Sequence, residues 1–301
     1  MQSPRLFFRR AYRLSRLGLH LLLAVIIAGL LLPNVNRVWG DRLIRYWSRR
    51  LLKILGIRVK VEPPPELQGG ALLVCNHVSW LDIYLIFVAK RVHFVSKSEV
   101  RAWPVAGWLA LQGGTLFLER GRRADTARVN DAMRELMQQG AWVGVFPEGT
   151  TSDGRGLKRF LPSLLQPAVE LGCPIVPAAL RYRTASGEYS PVAAYIDDMS
   201  IWQSLKRIVS EPRIIAELSF GEPFAPDAHR RELAMHAQSA VAAMLDVIPA
   251  SATLPNTLTR LDPAGVVAGN PERTPVDPAT GSPSAVLPTD SRYPAQSDSG
   301  G

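Results

Sequence analysis

A chain of 301 residues, 47% of them hydrophobic, can bury a sizeable core, so a staple-held miniprotein and a wholly disordered chain are excluded. Two cysteines are too few for a disulfide framework. The net charge of +9 calls for an anionic partner, yet residues 1–60 hold 13 Lys and Arg against one Asp, a charge of +12 that leaves −3 for the rest; these cations interleave with an apolar stripe and no recognisable module accompanies them, which excludes a nucleic-acid partner.

The first element is an uncharged run, Leu17 to Leu32, flanked by Arg5, Arg9, Arg10, Arg13 and Arg16 before it and by Arg37, Arg42 and Arg45 after it. At about 1.5 Å per residue it makes a helix of about 24 Å, short of the ~30 Å hydrocarbon core. Basic flanks on both sides oppose a simple crossing, so a half-inserted or shallow anchor is expected. A cleaved signal peptide fits less well, because Pro33-Asn34-Val35-Asn36 offers no small-x-small cleavage site. From Asp41 to Leu55, Ile44, Trp47, Leu51, Ile54 and Leu55 recur at helical spacing among Arg42, Arg45, Arg49, Arg50 and Lys53. Such a helix lies among lipid headgroups with Trp47 at the interface, or docks its stripe on the following domain; both can hold at once. Residues 1–55 are thus expected to form a basic helical membrane-anchoring module.

Residues 56–248 alternate short apolar strands with helical stretches. Strands are expected at Ile57 to Val61, Ala71 to Cys75, His93 to Ser96, Thr115 to Glu119, Trp142 to Phe146, Ile175 to Leu180 and Ile214 to Phe220. Helices are expected at Leu81 to Lys90, Ala124 to Gln139 and Leu161 to Leu171, with Gly140 and Gly172 as stops. The alternation predicts an α/β domain, a mostly parallel sheet flanked by helices. From residue 249 to 301 the composition turns to Pro, Ser, Thr, Gly and Asp without Phe or Trp, predicting a disordered tail.

Chemistry concentrates at strand ends, where open α/β sheets place their active sites. His77 and Asp82 follow the run Ala71 to Cys75, five positions apart. A histidine can take a proton from an alcohol while a carboxylate fixes its tautomer. Phe146-Pro147-Glu148-Gly149-Thr150 closes the run from Trp142; Phe117 and Arg120 lie in the block Gly113 to Arg120; Val176-Pro177 sits in the strand from Ile175. His20, His93, His229 and His236 have no partner pattern, and neither His-Glu-x-x-His nor Cys-x-x-Cys occurs, so no metal is assigned. Gly113-Gly114 and Gly154-Arg155-Gly156 read as turns. Ser79 and Cys75 lie near His77 but lack a nucleophile elbow or a cysteine-protease context.

In order and separation these four blocks resemble the glycerolipid acyltransferase family, over roughly Leu51 to Phe224. The resemblance implies His77 as general base, Asp82 as its orienting carboxylate, and Arg120, with Phe117, as holders of the acceptor's polar head. It implies acceptor binding by Glu148, Gly149 and Thr150, and a role for Pro177 in acyl-donor binding or local shape. It implies no cofactor; the donor is an acyl thioester of coenzyme A or acyl carrier protein. The setting is the cytoplasmic face of the cell membrane, among lysolipid acceptors and anionic headgroups, with both cysteines reduced. The leading acceptor is 1-acyl-sn-glycerol 3-phosphate. One departure brings lyso-ornithine lipid forward: Thr151 stands where many lysophosphatidate enzymes carry arginine. A non-catalytic lipid-binding protein is the third reading. Arg122, Arg123, Lys158 and Arg159 are either anion-binding or solvated, and Trp103, Pro104 and Trp108 either line a lipid tunnel or pack in the core.

Overall fold

Ala71 to Cys75 is apolar without interruption, the pattern of a strand covered on both faces, and it forms the fully buried β2 (Ala71–Cys75). The structure, a computed structural model, describes residues 4–31, 36–102, 107, 108, 110, 114–118 and 123–247. The tail from 249, Arg120, Arg122, Trp103 and Pro104 lie outside the described residues. Around β2 stand β1 (Ile57–Val61), β3 (His93–Lys97), β4 (Leu116–Leu118), β5 (Trp142–Val145), β6 (Ile175–Arg183) and β7 (Ile214–Phe220), in the order β1-β7-β6-β2-β5-β3-β4. Every neighbouring pair is parallel except β6 with β7, so the mostly parallel sheet expected from the alternation forms. β6 runs three residues past Leu180, because Arg181, Tyr182 and Arg183 pair with antiparallel β7, a partner that a local apolar count cannot see.

The helices are α1 (Pro4–Ile26), α2 (Arg37–Ile54), α3 (Asp82–Ala89), α4 (Arg123–Gln138), α5 (Gln166–Leu171), α6 (Ile201–Ser210) and α7 (Arg230–Leu245). Alternation along β2 divides the core: Leu73 and Cys75 join Leu52, Leu85 and Ile86 from α2 and α3, while Leu72 and Val74 join Met133, Ala168 and Val241 from α4, α5 and α7. Cutting Leu73 to alanine costs about 2–5 kcal/mol, a large share of a domain's net stability. The stretch expected as one helix from Leu161 divides into a 3₁₀ turn, Pro162–Leu165, and α5, since Pro167 has no N–H to donate and sits only in a first turn. α6 was not expected, although its start is written as Ser-x-x-Gln: the Ser200 hydroxyl accepts the Gln203 N–H at 3.2 Å and Gln203 returns an acceptor to the Ser200 N–H at 2.8 Å.

The N-terminal helices differ most from expectation. α2 turns its stripe inward: Leu51, Leu52 and Leu55 are buried in the domain core. Trp47, expected at the lipid interface, stacks instead on His20 of α1 (4.7 Å between centroids) and leans on Tyr84 of α3 (5.6 Å). α1 is helical from Pro4, well before the uncharged run, and a π-helical turn, Ile27–Leu31, continues it. Its Leu17, His20, Ala24 and Ala28 face inward at helical spacing. Arg9, Arg10 and Arg13, expected to flank the apolar run, are also held by the domain. Arg9 donates to the Ser210 carbonyl, Arg10 to the Ser210 hydroxyl (2.6 Å), and Arg13 to the carbonyls of Val209, Glu211 and Pro212 (3.1, 2.6 and 2.9 Å). Cations thereby satisfy the unpaired carbonyls at the C-terminal end of α6. The outer face of α1 remains apolar and open, with Leu22 59% and Leu30 67% exposed, and Pro4–Leu30 is long and apolar enough to cross a membrane.

Candidate active site

β2 ends at Cys75, and the chain turns through 76–81 into α3, whose first residue is Asp82. A helix N-terminus favours negative charge there. Asp82 is fully buried, yet both its oxygens are paired. Oδ2 accepts the N–H groups of Val78 (2.7 Å) and Ser79 (2.9 Å) and Nδ1–H of His77 (2.9 Å); Oδ1 accepts the Tyr182 hydroxyl at 2.7 Å. A carboxylate cannot donate, so Nδ1 carries the proton and Nε2 is the ring nitrogen left for a substrate. Phe146 stacks on the His77 ring at 4.0 Å and 11°, and Phe94 stacks on Phe146 at 5.4 Å, which fixes the ring plane.

A second loop holds the backbone of His77. After β5 the chain turns at Gly149, whose N–H returns to the Phe146 carbonyl (3.0 Å) with φ of 71°, a conformation that glycine adopts without strain. Glu148 is buried and spends both oxygens on main-chain donors, Oε1 on the His77 N–H (2.8 Å) and Oε2 on the Lys158 N–H (3.0 Å). Burial pushes its carboxyl above the ordinary value, against the opposing pull of those two N–H groups and of His77 and Lys158. The Ser152 N–H (2.8 Å) and hydroxyl (3.2 Å) both donate to the His77 carbonyl. His77 is therefore anchored through its N–H, its carbonyl and its ring. Thr151 donates its hydroxyl to the Tyr195 carbonyl, and Lys158 Nζ donates to the Thr151 carbonyl at 2.9 Å.

His77 opens onto a cavity of about 1390 Å³, lined also by Leu17, Leu21 and Ala24 of α1, Ala28 of the π-helical turn, Trp47 and Leu51 of α2, Tyr84 and Phe87 of α3, and the loop residues Gly149, Thr150 and Thr151. Small-molecule sites are typically ~300–1,000 Å³, so this volume suits a longer, mainly apolar ligand. Asp153, Asp197, Asp198 and Lys158 bring charge to its lining. Of the residues singled out by the motifs, His77, Asp82, Glu148, Gly149 and Thr150 come together. Phe117 lies on edge strand β4, where its carbonyl accepts from Arg128 at 3.2 Å, and it does not line the cavity. Pro177 lies inside β6, opposite Val74, equally outside the lining. Among the described residues no three His, Cys, Asp or Glu side chains converge as metal ligands. Sequence reasoning missed Tyr182, 100 positions from Asp82 and without any local signal, and Phe146, which lay inside the motif without a role.

A profile of the Acyltransferase family matches residues 57–181. The lyso-ornithine lipid O-acyltransferase of Pseudomonas aeruginosa is 39% identical over 202 residues, covering 67% of this chain and 77% of that protein. The 1-acyl-sn-glycerol-3-phosphate acyltransferase of Neisseria meningitidis serogroup B is 34% identical over 221 residues, 71% of this chain and 84% of its own. The crystal structure of the 1-acyl-sn-glycerophosphate acyltransferase of Thermotoga maritima shares the fold, with a TM-score of 0.61 at 20% identity, over 82% of this chain and 97% of that one. This chain belongs to the acyltransferase family, in its glycerolipid and lysolipid branch. It is an enzyme that transfers acyl groups, and the reading as a non-catalytic lipid binder falls.

Proposed function

We propose that the protein transfers a fatty acyl group from a thioester of coenzyme A or acyl carrier protein to the free hydroxyl of a lysolipid, with His77 as general base. The observation that carries this reading is a histidine tied to a buried aspartate and open to a large apolar cavity. His77 Nε2 takes the hydroxyl proton as the oxygen attacks the thioester carbon; the C–S bond then breaks and the thiol leaves with that proton. A covalent acyl-enzyme is not required. Cys75 is fully buried, its thiol pushed well up by that burial and by Asp82 and Glu148, and the Ser79 hydroxyl is buried against the Leu81 N–H (3.3 Å).

Thr151, with its hydroxyl turned to Tyr195, and the carboxylates Asp153, Asp197 and Asp198 in the lining favour an amine-bearing headgroup, as in lyso-ornithine lipid. Lys158 in the same lining supports 1-acyl-sn-glycerol 3-phosphate as the second reading. The exposed apolar face of α1, together with exposed Trp39, supports a shallow membrane anchor, and the need for acyl thioesters supports the cytoplasmic side. The outer face of α1 is this anchor, while α2 packs its stripe into the catalytic domain. The test is acyl transfer in membranes offered both acceptors in parallel, with His77→Ala as background. Ornithine-lipid formation that depends on His77 supports the first acceptor and phosphatidate formation the second; turnover undiminished in His77→Ala refutes the mechanism.

A further inference from the structure

The hydrogen bonds of Asp82 are unevenly divided. Three N–H donors converge on Oδ2, and among the described residues one donor, the Tyr182 hydroxyl at 2.7 Å, serves Oδ1. Tyr182 is 4% exposed and does not line the cavity, so it touches neither acceptor nor donor. It is brought there by Asn76, which extends the pairing of β2 with β6 beyond the last residue of β2: the Asn76 side-chain carbonyl accepts the Leu180 N–H at 2.7 Å and its amide donates to the Leu180 carbonyl at 3.1 Å. Leu180 and Tyr182 are two apart on one strand and share a face, so this clamp aims the phenol at α3. Burial, together with the neighbouring Asp82 charge, pushes the Tyr182 phenol well up, which keeps it protonated and donating.

We propose that Tyr182 is a positioning residue of the reaction, whose hydroxyl sets how strongly the His77–Asp82 pair holds a proton. This rests on the reading of His77 as general base. A donor to an anion lowers that anion's affinity for a proton. His77 and Tyr182 draw on the same buried negative charge, from opposite oxygens. Removing the phenolic O–H concentrates that charge on the imidazole side, and the pair as a whole binds its proton more tightly. Of the other titratable groups around the pair, Glu148 and Cys75 share its field. Neither gives a side-chain hydrogen bond to the His77 ring or to Asp82, and the two variants at 182 leave both in place. The Cys75 thiol turns to the Asn76 carbonyl oxygen, Glu148 takes main-chain N–H groups, the Lys158 amine goes to the Thr151 carbonyl, and Tyr84, pushed up to about 12 by burial, stays neutral. Asp153, Asp197 and Asp198 are exposed and screened by water.

The experiment is the pH profile of kcat/KM for wild type, Tyr182→Phe and a chain carrying 3-fluorotyrosine at 182, with His77→Ala alongside. In Tyr182→Phe the acid limb moves to higher pH by about one unit, the size of one hydrogen bond to a charged group. KM for the acceptor stays within about twofold, since the residue lies outside the cavity. The fluorinated phenol, a stronger donor of nearly unchanged shape, moves the limb to lower pH. A limb unmoved in both variants, with activity merely reduced, overturns the proposal, because a packing role predicts that result. If Tyr182→Phe fails to fold, the fluorinated chain decides alone. Full turnover in His77→Ala removes the underlying reading; an inactive His77→Ala with an unmoved limb removes only the assignment of Tyr182.

Discussion

The two walls of the cavity are built on opposite principles. On the His77 side nearly every polar group is spoken for: a buried carboxylate with four donors, a second carboxylate with two, and a histidine held at three points. On the α1 and α2 side the lining is aliphatic and aromatic apart from Ser48, and the directional bonds that fasten α1 lie away from it, at Arg9, Arg10 and Arg13. Directional bonds hold the reacting atoms within the tolerance that proton transfer demands, whereas an apolar wall can accept a chain at many positions along it. Substitutions on the first wall should change rate, and those on the second should change what is accepted or where the enzyme resides.

The largest effect is expected at the dyad: His77→Ala lowers kcat about 10²- to 10⁴-fold while the protein still sediments with membranes. Next comes the outer face of the opposite wall. Leu22→Asp with Ile26→Asp puts two charges on the apolar face proposed to meet lipid, and should move most of the protein to the soluble fraction in a flotation assay. These positions are exposed, so the melting temperature should change little. Deleting residues 1–55 is a poorer probe, because Leu51, Leu52 and Leu55 belong to the domain core.

Glu148→Gln sharpens the contrast from the polar side. The amide offers one acceptor where the carboxylate offered two, so the loop holding His77 loosens and activity falls about tenfold or more. Its stability should move the other way with pH. A carboxyl held above its ordinary value loses stability as pH rises from about 4.3 through the raised value. Glutamine does not titrate, so the variant gains on wild type across that interval in thermal melts, and a constant difference would contradict the assignment. The smallest effect is expected for Ala24→Phe, which fills part of the apolar wall. Long acyl chains should be refused at about tenfold or more per excluded methylene, with turnover of short chains preserved in a chain-length series.

The strands and the His77–Asp82 pair were legible because both are local: apolar runs announce buried strands, and five positions joining a strand to a helix announce a loop that can close on itself. What was not legible is set by partners distant in sequence. The stripe of α2 is the same whether lipid or protein covers it, and only the fold reveals that Trp47 meets Tyr84. Glu148 belongs to a motif that suggests ligand binding, yet its distances to main-chain N–H groups decide where its charge is used. Tyr182 could not be read at all, since nothing around it in the chain marks a tyrosine that will face a carboxylate 100 positions earlier.

The clasp of α1 has a consequence for how the enzyme is made. Arg13 binds carbonyls that lie 196 to 199 positions later in the chain. At about 5–20 residues per second, the ribosome needs about 10–40 s to synthesise them after α1 has emerged. Throughout that interval α1 lacks its fastening to α6, while Leu19, Leu22 and Ile26, which stay exposed in the finished fold, already offer an apolar face to a bilayer. On the proposed anchoring the nascent chain meets its lipid first, and α1 is fastened only after Pro212 has been made, with 89 of the 301 residues still to come.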